Sequence, residues 1–276
     1  MNFLWGILIT VGVTAIAVAA MLLVRRNAPE GSRFTDGDRA SGVFGVLATG
    51  FSVLLGFIVF LAFTSYDQSR TGAETEALMV VQQVETAQLF PAETAAELTG
   101  ELVCYGRSVV SDEWQRMRSD TLGDHLNPWG VELFRTVQTL QPATAREQSA
   151  YDKWLEQTSA REEARLDRIH GAVGVIPTQL WIALFFIAAV IFVYMLFFAD
   201  RGEGALTQAV LMGSVVAVIS TLLLLLYSLD NPFGAGIGGL DPVAMERSLR
   251  LVDEALGSIG GQVPISCDLE GGPVTP

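Results

Sequence analysis

Residues 43–63 read VFGVLATGFSVLLGFIVFLAF and contain no acidic or basic side chain. A helix of about 20 such residues crosses the roughly 30 Å hydrocarbon core of a bilayer. Hydrophobic residues make up 50% of the chain and charged residues 17%, against about 25% charged residues in a typical soluble domain. The sequence therefore predicts a polytopic membrane protein and excludes a soluble enzyme. Three further blocks have the same character and a similar length: 4–24, 178–198 and 206–229.

The segment between the second and third blocks is polar and carries helix signals. Thr71 with Glu74, and Thr144 with Glu147, fit the capping box, in which a hydroxyl and a carboxylate each satisfy a backbone N–H group. Apolar side chains recur at helical spacing at Leu98, Leu102, Tyr105 and Val109. We expect helices over about 66–90, 92–118, 130–140 and 144–171, with a turn at Asn127–Gly130.

The predicted fold class is all-α, a four-transmembrane-helix bundle with a large helical insertion domain between helices 2 and 3. Residues 1–65 carry transmembrane helices 1 and 2, and residues 66–176 form the extramembrane helical domain. Residues 177–230 carry transmembrane helices 3 and 4, and residues 231–276 form an extramembrane tail.

Charge excludes some partners and bears on sidedness. The 30 acidic residues outnumber the 17 basic ones, so a nucleic acid is not an expected partner because few basic groups could neutralise its phosphates.

Arginines near the span ends favour short loops in the cytoplasm and the large segment outside, by a small margin. The short loops carry Arg25, Arg26, Arg33, Arg39 and Arg201, and the opposite side carries Arg70, Arg165 and Arg168. The expected location is the inner (plasma) membrane, with the side of the 66–176 domain open.

Cys104 and Cys267 both lie on the side of the large segment. If that side faces an oxidising compartment, the two cysteines can form a disulfide that ties the tail to the domain. The alternative is two unrelated thiols, and the sequence does not distinguish these outcomes because it does not give the Cα–Cα distance.

Catalytic machinery is missing from the sequence. It contains no Walker A motif, nucleophile elbow or zinc-type cysteine cluster, and its two histidines, His125 and His170, are far apart. Gly234–Gly239 fits the GxGxxG pattern but follows a transmembrane helix and not a strand, so a dinucleotide site is not expected. We therefore predict no catalytic residue, metal site or cofactor.

The second span is the best candidate for a pore lining. Thr49, Val53, Phe57, Phe60 and Thr64 lie on one helical stripe that has no ionisable residue, and such a pore can gate by dewetting. The alternative is that this stripe packs against another helix of the same subunit. Acidic residues follow the span at Asp67, Glu74 and Glu76. In a ring they would form a vestibule that attracts cations, and otherwise they are ordinary solvated positions.

Two short stretches resemble bestrophins. The sequence from Phe51 to Phe57 (FSVLLGF), followed by Tyr66-Asp-Gln-Ser69, resembles their second transmembrane helix. The turn Asn231, Pro232, Phe233 and Gly234 resembles the Asn-Pro-Phe-Gly motif that follows their last span. Together with the order of the spans, these motifs indicate the bestrophin-like family of bacterial membrane proteins.

The resemblance implies a homopentameric channel in which second helices line a narrow hydrophobic neck. Phe57 then matches the neck phenylalanine, whereas Val53 and Thr49 depart from the bulky apolar pattern. It also implies a cytoplasmic insertion, opposite to the charge count. The acidic run that binds calcium in animal bestrophins is absent after Gly234, where only Asp241 is acidic nearby.

The predicted function is passive conduction of inorganic ions by a bilayer-embedded, bestrophin-like homo-oligomer, a pentamer by analogy. The alternative is a non-conducting membrane scaffold or sensor whose helical domain binds a ligand or a protein partner.

Overall fold

The computed structural model describes residues 3–29, 33–34, 36–119, 121, 126–236, 238–259 and 263–274. These residues form helices and one isolated β-bridge, between Cys267 and Pro273. The described helices are α1 (Phe3–Arg26), α2 (Gly37–Ala87), α3 (Ala92–Ser108), α4 (Trp114–Arg118), α5 (Pro128–Thr139), α6 (Ala145–His170), α7 (Thr178–Phe197), α8 (Ala205–Asp230) and α9 (Val243–Ile259). A π-helical turn, Val109–Glu113, joins α3 to α4.

Four of these helices, α1, α2, α7 and α8, are long and apolar enough to span a membrane. Between the second and third of them lies the helical insertion, so the all-α prediction of four spans with a large insertion is confirmed. Helix α2 continues without a break past the predicted membrane boundary at residue 65, and its full length from Gly37 to Ala87 is 51 residues. At 1.5 Å per residue, its length is about 75 Å.

The chain divides into two compact units. The membrane-spanning unit comprises Met1–Ser65 and Gly174–Gly239, and the helical unit comprises Tyr66–Val173 and Leu240–Pro276. The tail is therefore split, since its first residues belong with the spans and the rest with the insertion.

The membrane-spanning unit is held together by side chains on one face of each span. Phe51, Leu55, Ile58 and Ala62 of α2 are buried together with Leu184 and Ile191 of α7 and Leu226 of α8. Helices α1 and α8 pack closely because of Gly213, where an added Cβ would lie 3.3 Å from Val18 Cγ2. Small residues at such contacts are typical of helix packing in membranes.

One of the two capping boxes predicted for the helical unit is confirmed. Thr144 caps α6 as predicted, because its Oγ1 accepts a hydrogen bond from Glu147 N at 3.2 Å. Asn127 caps α5 by accepting from Trp129 N at 3.0 Å. The capping box at Thr71 is wrong, since Thr71 and Glu74 lie inside the uninterrupted helix α2.

Helices α2 and α6 approach each other closely at Gly72. A Cβ on Gly72 would lie 2.5 Å from Arg168 N and 2.7 Å from Ala164 O, both of them backbone atoms. A side chain at this position requires the two helices to separate.

Gly72→Ala is therefore expected to destabilise the helical unit by about 1–3 kcal/mol or more through overpacking. The matched control is Gly257→Ala in α9, where an added Cβ meets no atom of the described residues within 4 Å and alanine favours the helix by about 0.5–1 kcal/mol. Thermal unfolding in detergent, followed by tryptophan fluorescence, measures both. Equal transition temperatures for the two variants would contradict this packing.

Candidate functional site

The predicted pore stripe lies on an open face of α2. Val53, Phe57 and Phe60 are 69%, 60% and 60% exposed within the single chain, and Thr49 and Thr64 are exposed as well. Over the 15 residue-to-residue steps from Thr49 to Thr64, the stripe extends about 22 Å along the helix. Three large apolar side chains therefore lie on a surface that the rest of the described chain does not cover.

The opposite face of α2 makes the contacts with the other membrane-spanning helices of the chain. Phe51, Leu55, Ile58 and Ala62 are only 4%, 2%, 3% and 1% exposed. The stripe therefore does not pack against another described helix of the same chain. What covers it in the membrane is either lipid or a second protein surface.

Glycines flank the open stripe. Gly45, Gly50 and Gly56 are exposed, and within the described part of the chain a Cβ added to each would meet nothing within 4 Å. Small residues allow the backbones of two membrane helices to approach closely. By contrast, the exposed side chains of α7 include the bulky Ile182, Phe185 and Phe186, which suit contact with acyl chains.

The three acidic residues after the span have different environments. Asp67 and Glu74 are exposed, and Glu74 pairs with Arg70 across 3.2 Å. Glu76 is fully buried, so its assignment to a vestibule is wrong. Its position on α2 points into the helical unit, where buried partners neutralise its charge.

Glu76 belongs to a buried ion network in the helical unit. Arg168 donates to both carboxylate oxygens of Glu76 and to Glu113 Oε2. Arg165 donates to Glu113 Oε1 at 3.1 Å, and Tyr105 Oη donates to Glu76 Oε1 at 2.6 Å. The network therefore joins α2, α3, the π-helical turn and α6.

Electrostatic pairing in this network outweighs the cost of burial. Burial alone would raise the pKa of Glu113, but Arg168 and Arg165 hold that pKa below its ordinary value. Burial would lower the pKa of Arg168, but Glu76 and Glu113 raise it. For Tyr105, burial and the neighbouring Glu76 raise the phenol pKa well above its ordinary value. The buried carboxylate of Glu113 thus stays ionised at neutral pH.

The Asn231–Gly234 turn directly follows the last membrane-spanning helix, α8, which ends at Asp230. Asn231 Nδ2 donates to Tyr227 O at 2.9 Å, and Gly234 N donates to Asn231 O at 3.0 Å. Pro232 and Phe233 are buried. The preceding Asp230 accepts from Ile176 N and Trp181 Nε1, so the start of α7 is fixed to the end of α8. These contacts give the turn a structural role within its unit.

The tail of the helical unit is fixed to α3 by a disulfide between Cys104 and Cys267, whose Cα atoms are 5.7 Å apart. Arg107 and Ser111 donate to the tail carbonyls of Asp268 and Glu270. Because the bond joins residues 163 positions apart, the loss of chain entropy in the unfolded state stabilises the unit by about 5 kcal/mol.

A family model identifies the chain. Residues 4–238 match the model of the Bestrophin-like domain, so the chain belongs to the bestrophin-like family, as the two motifs indicated. No curated protein sequence matches the chain.

Solved structures support the same fold. A bacterial bestrophin homolog from Klebsiella pneumoniae is 17% identical, with a TM-score of 0.66, and the match covers 95% of this chain and 100% of that one. A single-substitution variant of that homolog is 16% identical, with a TM-score of 0.66 and coverages of 94% and 99%. A structure described as a membrane protein is 15% identical, with a TM-score of 0.67 and coverages of 92% and 98%. At this identity the likeness shows the fold alone.

Among the described residues, no three His, Cys, Asp or Glu side chains form a group that could hold a metal ion. His125 lies outside the described residues.

Removing Arg168 tests the buried network. Arg168→Gln leaves the carboxylates of Glu76 and Glu113 buried without this guanidinium, and breaking such a pair costs about 3–5 kcal/mol. The control is Arg70→Gln, because the Arg70–Glu74 pair is exposed at both side chains and is worth at most about 1 kcal/mol. Thermal unfolding in detergent compares the two, and an Arg168 variant as stable as the Arg70 variant would contradict the network's role.

Proposed function

We propose that this chain assembles as a homopentamer and conducts inorganic ions passively through a central pore lined by α2. The observation that carries the proposal is the open stripe of Thr49, Val53, Phe57, Phe60 and Thr64 on a helix whose other face is buried. Membership of the bestrophin-like family, whose known homologues are ion channels, supports it.

The pore mechanism follows from the chemistry of the stripe. Five copies of Phe57 around one axis would form an apolar ring that dewets when it is narrow, and a dewetted ring stops ions without any charged gate. Val53 and Thr49 would form smaller rings one and two turns earlier, and Phe60 and Thr64 would extend the lining. The ring of Phe57 is then the narrowest point and controls conduction.

Charge beyond the span would bias which ions enter. Arg70 offsets the charge of Glu74, whereas no ion pair involves Asp67 among the described residues. A ring of five Asp67 carboxylates would raise the local concentration of cations. Family analogy favours anions instead, and reversal potentials in asymmetric salt distinguish the two.

The second candidate is a non-conducting scaffold or sensor. It is favoured by the size of the helical unit, which has its own buried core, disulfide and cavity. In this case α2 would only contact lipid or another protein.

Phe57→Ala separates the two functions. Recorded in planar bilayers, the pentamer is expected to show several-fold higher conductance or loss of closure, because the narrowest apolar ring widens. The control is Phe186→Ala on α7, which removes an equally bulky side chain that is 68% exposed but lies outside the proposed pore. Identical currents from both variants would contradict a constriction at Phe57, and no current from the unaltered protein would overturn the channel proposal.

We further propose that the chain lies in the inner (plasma) membrane with its short loops in the cytoplasm and its helical unit outside. The arginines of the short loops support this orientation, and so does the Cys104–Cys267 disulfide, because disulfides persist in oxidising compartments. It is opposite to the cytoplasmic insertion that the bestrophin resemblance implies.

Single added cysteines test this orientation, since the described cysteines are both bonded. Ser159→Cys on α6 is expected to react with a membrane-impermeant maleimide in intact cells, whereas Glu203→Cys in the α7–α8 loop is expected to react only after lysis. Both positions are exposed. The reverse labelling pattern would place the helical unit in the cytoplasm.

A further inference from the structure

The helical unit buries more positive than negative charge. Its buried charged side chains among the described residues are Arg161, Arg165, Arg168, Glu76 and Glu113, which are three arginines and two glutamates. Glu76 and Glu113 bind Arg168 and Arg165. Among these five side chains, Arg161 is therefore the arginine that forms no ion pair with a buried carboxylate.

Arg161 is only partly satisfied by its neighbours. Its side chain is 1% exposed, and the carboxylate that it contacts, Glu162, is 48% exposed. It donates to Gln83 Oε1 at 2.9 Å and to Glu162 Oε1 at 3.0 Å, and its guanidinium stacks over Tyr105 at 4.6 Å. Its Nε–H has no hydrogen-bond partner among the residues that the structure describes. A guanidinium has five N–H donors in a fork that suits a carboxylate.

A cavity of about 290 Å³ lies beside this arginine, between α5 and α6. Its lining includes Arg161 and Arg165 together with the apolar side chains of Leu133, Val137 and Trp154. The volume is at the small end of ligand-binding cavities, which measure about 300–1,000 Å³. Thr158 also lines the cavity. Its Oγ1 accepts a hydrogen bond from Gln83 Nε2, so its hydroxyl proton can be donated to a ligand.

We propose that this cavity binds a small organic monocarboxylate with an apolar body. The carboxylate accepts hydrogen bonds from Arg161 and Thr158, and the apolar body lies against Leu133, Val137 and Trp154. This binding belongs to the helical unit and does not depend on ion conduction.

Two features of the cavity explain how such a ligand fits. Glu162 is half in solvent, so an incoming carboxylate can replace it on Arg161 while Glu162 turns towards water. Gly130 leaves room for the ligand, because a Cβ there would have its nearest neighbours at 3.8–3.9 Å, Glu162 Oε1 among them. A larger side chain at Gly130 occupies the same space as the ligand.

Calorimetric titration of the full-length protein in detergent tests the proposal, with 3-phenylpropionate and benzoate as probes. At least one of them is expected to bind with a submillimolar Kd. The neutral amide of the acid that binds is expected to bind about tenfold more weakly or worse, because it lacks the negative charge. Acetate is expected to bind about tenfold more weakly or worse as well, because it lacks the apolar body.

Three variants locate the binding. Arg161→Gln and Gly130→Leu are expected to abolish it, the first by removing the cation and the second by filling the cavity while all charges remain. Glu162→Gln is expected to tighten binding several-fold, because it removes the competing carboxylate. Since Gly130→Leu leaves the buried charges unchanged, it keeps the test valid if Arg161→Gln does not fold.

The proposal is overturned if neither acid binds at 10 mM, a concentration about tenfold above the expected upper limit of Kd. It is also overturned if acid and amide bind equally, or if Gly130→Leu binds as the unaltered protein does. If the Gly130→Leu variant still binds the acid, the heat measured in the titration comes from the detergent micelle or from another surface of the protein.

Discussion

The hydrocarbon core of a bilayer offers no hydrogen-bond partner to the backbone, and this constraint determines the form of the membrane-spanning unit. An unpaired N–H or C=O group there costs several kcal/mol, so the chain must cross as helices. Once the spans are helices, side chains alone decide which surfaces pack. On α2, one face is buried among α7 and α8, and the other remains open over Val53, Phe57 and Phe60. The proposed pore depends on this division of a single helix into two faces.

The same helix contributes to both compact units, but different interactions stabilise its two parts. In the membrane-spanning unit, α2 is packed through apolar side chains such as Leu55 and Ile58. In the helical unit it approaches α6 at Gly72 and contributes Glu76 to a buried ion network. Buried ion pairs are poor sources of net stability but costly to break. The network therefore specifies how α2, α3 and α6 fit together.

Much of the fold could be predicted from the sequence because the relevant signals are local. Uncharged blocks of about 20 residues identify spans, and the cap at Thr144 needs only a residue three positions away. The burial of Glu76 could not be predicted, because its partners Tyr105 and Arg168 are 29 and 92 positions distant. A buried and an exposed glutamate look alike in a helical pattern. For the same reason a count of arginines near the span ends includes Arg165 and Arg168, although both side chains are buried in ion pairs.

The candidate site shows the same limit. The stripe from Thr49 to Thr64 could be found from spacing, but only the structure distinguishes a face packed inside the protomer from an open one. The cavity beside Arg161 had no sequence signal, since it is assembled from α5 and α6 and its key feature is a missing partner.

The most direct test of the central claim is the number of subunits in the detergent-purified protein, measured by native mass spectrometry. A closed pentamer is expected, because five copies of α2 around one axis cover the open stripe and form the pore. A monomer or dimer that persists across mild detergents would leave no symmetric pore for α2 to line, and would contradict the account.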